Sequence, residues 1–227
     1  MKNKIESFQV LRGIAILIIF ASHCNNLIVI GGQNRLMYLG GCGVSVFIAL
    51  SGFLAAYKYS EASPTDGMSS IKAKLRKFGW LHLSTLIVAT PLSISLLKKN
   101  VIQWVGTLLL NGTLLQAWIP TLSVYFSFNA VSWYLSLTIA FAALTPFAVH
   151  IWKAVSVQGT VVLSTILAGF ELALCYFLQK RTYVHYAVYV FPITRFLDFI
   201  IGGGVTRLQN IYRKGIEISN GCCILMC

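Results

Sequence analysis

Seven apolar runs divide this chain. The first, Val10 to Ile30, is about as long as a helix needs to cross a bilayer, roughly 20 residues. Hydrocarbon offers no partner to a backbone N–H or C=O, so a chain of such runs has to satisfy its backbone within helices or within a closed barrel. The runs are continuous rather than alternating, which selects helices. With 57% hydrophobic and only 11% charged residues, against about 25% charged in an ordinary soluble domain, the expected fold is an all-α, polytopic membrane helical bundle. About six to seven transmembrane helices are expected in it.

The later runs are Gly43–Tyr57, Phe78–Leu97, Val101–Ile119, Val131–Val149, Val161–Leu178 and Tyr183–Val205. Glycines 40, 41 and 43 allow the chain to turn before the second run, and Ser63 to Gly67 is a turn signal inside the polar stretch Lys58–Lys77. The fourth run carries Gln103, Asn111 and Gln116, and reads as a span, a re-entrant segment or a helix lining a polar cavity. The net charge of +12 lies mostly at the ends of the runs, where it sets topology; no basic stripe with interleaved aromatics points to nucleic acid, and the surrounding partner is membrane lipid. Lys2, Lys4, Arg12, the polar stretch and Lys180–Arg181 favour a cytoplasmic N-terminus over Arg35, Lys98, Lys99 and Lys153. If all seven runs span, however, Arg207, Arg213 and Lys214 fall on the outer side. Either the fourth run does not span, or the early loops set the orientation. No small-residue cleavage site follows the first run cleanly, so it reads as a retained helix. The six cysteines show no zinc-type spacing, and no metal site is expected.

Arg12 and His23 stand out in the first run. Eleven positions is almost three full helical turns, so both side chains leave one face, roughly 16 Å apart along the axis. An ionisable group at the centre of a membrane helix costs about 2.5–3.5 kcal/mol on insertion scales and is often functional. The plainer alternative is a snorkelling anchor at Arg12 and a satisfied polar contact at His23. In the seventh run Arg195 and Asp198 are spaced i, i+3, as a structural intramembrane pair or as part of a site. Glu171 is a further buried carboxylate candidate, whereas His82, His150 and His185 read as interhelical hydrogen-bonding groups. Soluble-enzyme signatures such as GxSxG, HExxH, a phosphate loop or a dinucleotide fingerprint are missing from the sequence.

Five blocks, in order, resemble the membrane-bound acyltransferase-3 family. They are LRGIAILIIFASH (Leu11–His23), GVSVFIALSGFL (Gly43–Leu54), KAKLRKFGWLHL (Lys72–Leu83), VSWYLSLTIAFAALTPF (Val131–Phe147) and ITRFLDFIIGG (Ile193–Gly203). The resemblance implies an O-acyltransferase of the bacterial inner membrane. It would move an acyl group, most simply acetyl, from cytoplasmic acyl-CoA to a hydroxyl of a cell-surface polysaccharide or its lipid-linked precursor, with no bound cofactor. It assigns His23 as the catalytic base, Arg12 with Lys74, Arg76 and Lys77 to the anionic donor, and Ser51, Trp133, Ser136, Arg195 and Asp198 to supporting roles. It also implies about ten spans. The chain is therefore expected to be C-terminally truncated, with residues 1–207 an incomplete transmembrane domain and residues 208–227 an atypical tail. The rival readings are an inactive fragment and a membrane transporter of a small solute or glycan.

Overall fold

The computed structural model describes residues 6–24, 35–60 and 66–224. Residues 25–30 of the first run, Lys2, Lys4, the Ser63–Thr65 part of the turn and residues 225–227 of the tail lie outside them. Among the described residues the chain is helical, with no strand. The helices are α1 (Glu6–Cys24), α2 (Arg35–Lys58), α3 (Gly67–Ala89), α4 (Ile94–Lys99), α5 (Val101–Gly112), α6 (Leu122–Tyr125), α7 (Trp133–Ala154), α8 (Val157–Leu178) and α9 (Pro192–Ile224). Leu39–Lys58, Ala130–Ala154 and Val157–Leu178 are long and apolar enough to cross a membrane; Phe8–Cys24 is a shorter apolar helix. The protein is an all-α membrane helical bundle.

Helix ends follow local chemistry. At Pro91 α3 gives way to a 3-10 turn, because a proline has no N–H to continue the ladder; Thr90 before it keeps a right-handed helical conformation. Asn100 caps α5, its side chain accepting from the Gln103 N–H at 3.0 Å. Ser156 does the same for α8 through the Gly159 N–H at 3.1 Å.

The third run is divided between α3, a 3-10 turn and α4, and the fourth and seventh runs are broken as well. Helix α5 stops after 12 residues, about 18 Å, well short of the roughly 30 Å hydrocarbon core. Leu114 then takes a left-handed conformation (φ 59°), and the chain returns through a 3-10 turn and α6 to the start of α7. The fourth run is thus a helix shorter than a span followed by an irregular return. The seventh run is broken: one π-helical turn covers Tyr186–Val190, Phe191 is extended (ψ 124°), and Pro192 opens α9. The proline is the cause, since it forces the preceding residue out of the helical region and is itself well suited to a first helical position. Helix α9 runs to Ile224 with no break at residue 207.

The chain divides into two units. One comprises Met1–Ala62, Trp152–Ala168 and Asp198–Cys227; the other comprises Ser63–Ile151 and Gly169–Leu197. In the first unit α1 and α2 pack closely because Gly40 and Gly43 present no side chain. A Cβ on Gly40 would strike Ser22, and one on Gly43 would lie 2.9 Å from Ile19. Helices α2 and α9 cross by the same device. A Cβ on Gly52 would meet the Phe199 carbonyl, and one on Gly202 would meet the Ala49 carbonyl. Thr206 donates to the Phe53 carbonyl at 3.1 Å, and Trp152 Nε1 donates to the Ile200 carbonyl at 3.0 Å. Arg207 donates to the Trp152 and Val155 carbonyls, which satisfies the C-terminal end of α7.

In the second unit the irregular return after α5 is held by buried polar side chains. Asn111 Nδ2 donates to Ser127 Oγ at 2.7 Å, Gln116 Nε2 to Ser132 Oγ at 3.0 Å, and Ser136 Oγ to the Leu114 carbonyl at 2.5 Å. Non-helical backbone in a membrane protein is tolerated where protein or water satisfies it; the Ser136 hydroxyl does so for the Leu114 carbonyl, while the two bonds between side chains hold the return in place.

Candidate active site

Helix α1 carries the Arg12–His23 pair as the sequence pattern requires, on a continuous helix from Glu6 to Cys24. Arg12 is half-buried, its guanidinium 5.4 Å from the centre of the Phe47 ring on α2. A cation over an aromatic face gains about 0.5–2 kcal/mol, so Phe47 orients the charge without neutralising it. His23 lies in the last turn of α1 and is exposed. Next to it, Ser22 Oγ is turned back onto the Ile19 carbonyl at 2.7 Å and does not compete for the imidazole. The arrangement is an oriented cation and an accessible imidazole on one helix face, roughly 16 Å apart along the axis.

The other expected site residues divide as follows. Ser51 donates to the Phe47 carbonyl of its own helix at 2.9 Å. Lys74, Arg76 and Lys77 are exposed along the first half of α3, with Lys77 set 5.1 Å from the centre of the Phe78 ring. Trp133 is buried at the start of α7 and packs on Tyr189 with centroids 4.8 Å apart. Ser136 is committed to the Leu114 carbonyl. The two residues of the Trp-x-Leu-Ser block therefore hold the start of α7 against its surroundings. Arg195, only 6% exposed, donates to the Val188 carbonyl at 3.3 Å across the break before α9. Asp198 is half-buried one turn further along the same helix. Arg12, His23, Ser51 and Asp198 belong to the first unit, and the α3 cations, Trp133, Ser136 and Arg195 to the second.

Two polar features go beyond the sequence reading. His82, 4% exposed, bonds through Nε2 to the Asn111 carbonyl at 2.9 Å. A carbonyl only accepts, so Nε2 carries the proton and the ring ties α3 to the end of α5. The sequence places His82 among the interhelical hydrogen-bonding groups; the fold supplies its partner, the carbonyl one residue before α5 ends at Gly112. Between α6 and α9 an aromatic corner gathers Tyr125, Phe126, Trp133, His185 and Tyr189, with the Tyr125 hydroxyl 3.4 Å from His185 Nδ1.

The family model described as an acyltransferase domain, the acyltransferase-3 type, matches residues 5–227. The chain belongs to this family. A curated relative, described as the acyltransferase MdmB of Streptomyces mycarofaciens, is 28% identical over 165 residues. That match covers 68% of this chain and 42% of the relative, so the chain spans less than half of that protein's length. No solved structure matches the chain.

Proposed function

We propose that this acyltransferase-3 protein takes an acyl group, most simply acetyl, from cytoplasmic acyl-CoA. It delivers the group to a hydroxyl of a cell-surface polysaccharide or its lipid-linked precursor. The observation that carries this reading is the α1 face itself: a Phe47-oriented guanidinium and an accessible imidazole roughly 16 Å apart on one rigid helix. An extended thioester arm whose phosphates meet Arg12 has a length suited to bringing its acyl carbon toward His23. A neutral imidazole accepts the proton of the attacking hydroxyl. The hydroxyl oxygen then bonds to the acyl carbon, the carbon–sulfur bond breaks, and the imidazolium returns its proton to the departing thiolate. The exposed cations of α3 add to the attraction of an anionic donor.

The short α5 supports a cytoplasmic N-terminus. If α5 turns back instead of crossing, α7 runs inward, α8 outward and α9 inward. The cytoplasmic side then holds Lys2, Lys4, Arg12, Lys58, Lys72, Lys74, Arg76, Lys77, Lys153, Arg207, Arg213 and Lys214. The outer side holds only Arg35, Lys98, Lys99, Lys180 and Arg181. Seven crossings would instead leave the tail cations outside and weaken the positive-inside bias. The charge count bears on orientation alone; the bacterial inner membrane is what the resemblance to the family's bacterial members implies.

The test is the mass of the surface glycan from cells with the chain, without it, and with His23→Ala. A gain of one acyl group that His23→Ala abolishes, with the variant inserted at the normal level, is the expected result. Full acylation by His23→Ala would remove the catalytic assignment.

A further inference from the structure

Helix α3 and the end of α5 line an open surface cleft of about 510 Å³. Its apolar walls include Trp80, Leu83 and Leu114, and Arg76 contributes the cation of its lining. Two glycines keep it open. A Cβ on Gly79 would find nothing within 4 Å, and one on Gly112 would find only Leu86 at 3.9 Å. The walls are tied together by the His82–Asn111 bond, so the cleft is preformed rather than an accident of loose packing. Helix α3 has no acidic residue from Gly67 to Ala89, while Lys72, Lys74, Arg76 and Lys77 occupy its first half. A groove that is apolar along its length, beside a helix half carrying only positive charge, matches a molecule with an anionic head and a hydrocarbon tail.

We propose that this cleft binds an anionic glycerophospholipid of the bilayer, its phosphate on Arg76 and one acyl chain along Gly79, Leu83 and Leu114. The lipid anchors the basic half of α3 at the membrane surface. The site uses neither Arg12 nor His23, but it shares Arg76 with the cations assigned to the anionic donor, so the acetyl-CoA competition below separates a lipid site from a donor site. A basic side chain near an anionic headgroup contributes about 1 kcal/mol, so Arg76 makes the site prefer an anionic over a zwitterionic lipid by about fivefold.

The test uses the full chain purified in neutral detergent, titrated with brominated phosphatidylglycerol or brominated phosphatidylcholine. Bromine quenches tryptophan on contact, and Trp80 lines the cleft. Phosphatidylglycerol should saturate the quenching at about fivefold lower concentration than phosphatidylcholine. Arg76→Gln should bring the two curves together. Gly79→Leu, which enters open space and leaves the helix intact, should remove the saturable component for both lipids. Equal curves in the unaltered protein would overturn the proposal, as would saturable quenching that Gly79→Leu leaves unchanged. So would absence of any saturable phase, which would mean that something other than lipid fills the cleft. Displacement of bound phosphatidylglycerol by equimolar acetyl-CoA would also overturn it, in favour of a donor site.

Discussion

Alanine at Gly52 tests whether α2 and α9 cross as closely as described. The new Cβ would meet the Phe199 carbonyl, a backbone atom that no rotamer change can move aside. The reciprocal contact of Gly202 with the Ala49 carbonyl prevents either helix from yielding alone, so the crossing has to widen. Overpacking of this kind costs about 1–3 kcal/mol. Widening also strains the Thr206 bond to the Phe53 carbonyl, now 3.1 Å, which contributes about 1 kcal/mol. The expected loss is therefore roughly 2–4 kcal/mol. Gly79→Ala is the matched control. It adds the same methyl group to a helix interior with nothing within 4 Å, and should stabilise by about 0.5–1 kcal/mol. Reversible unfolding by sodium dodecyl sulfate in mixed micelles measures both. Shifts of the two variants in the same direction would refute the reasoning. So would a loss from Gly52→Ala smaller than the gain from Gly79→Ala. In the double variant Gly52→Ala/Gly202→Ala the losses should be less than additive, because the first separation makes room for the second.

Two further results follow from the short α5. With the native cysteines replaced by serine, a single cysteine at Thr182 should react with a membrane-impermeant maleimide added outside the cell; labelling only after permeabilisation would mean that the fourth run crosses. Ser136→Ala removes the donor to the Leu114 carbonyl and leaves that acceptor buried, so the same unfolding assay should show a loss of about 1–3 kcal/mol, while an unchanged midpoint would mean that the return does not depend on this bond.

The membrane class and the Arg12–His23 face were both legible in the residues. Run length dictates helices because lipid leaves a backbone no other partner, and a spacing of eleven selects one face of any regular helix. The same local rules located the breaks only in part. Pro192 stood in the sequence, yet hydropathy alone joined Tyr183 to Val205 into one run, because an average over side chains does not register a missing N–H. The fourth run is the sharper case. Gln103, Asn111 and Gln116 marked it as unusual, but whether such a segment crosses or returns depends on partners distant in the chain. Those partners are Ser127, Ser132 and Ser136, and only the folded chain brings them to Asn111, Gln116 and the Leu114 carbonyl. Helix formation and facing are set within a few residues and can be read from order alone. Whether an irregular backbone can rest at membrane depth, and whether a glycine marks a tight crossing at Gly52 or an open cleft at Gly79, is decided by what packs against it, which tertiary structure alone supplies.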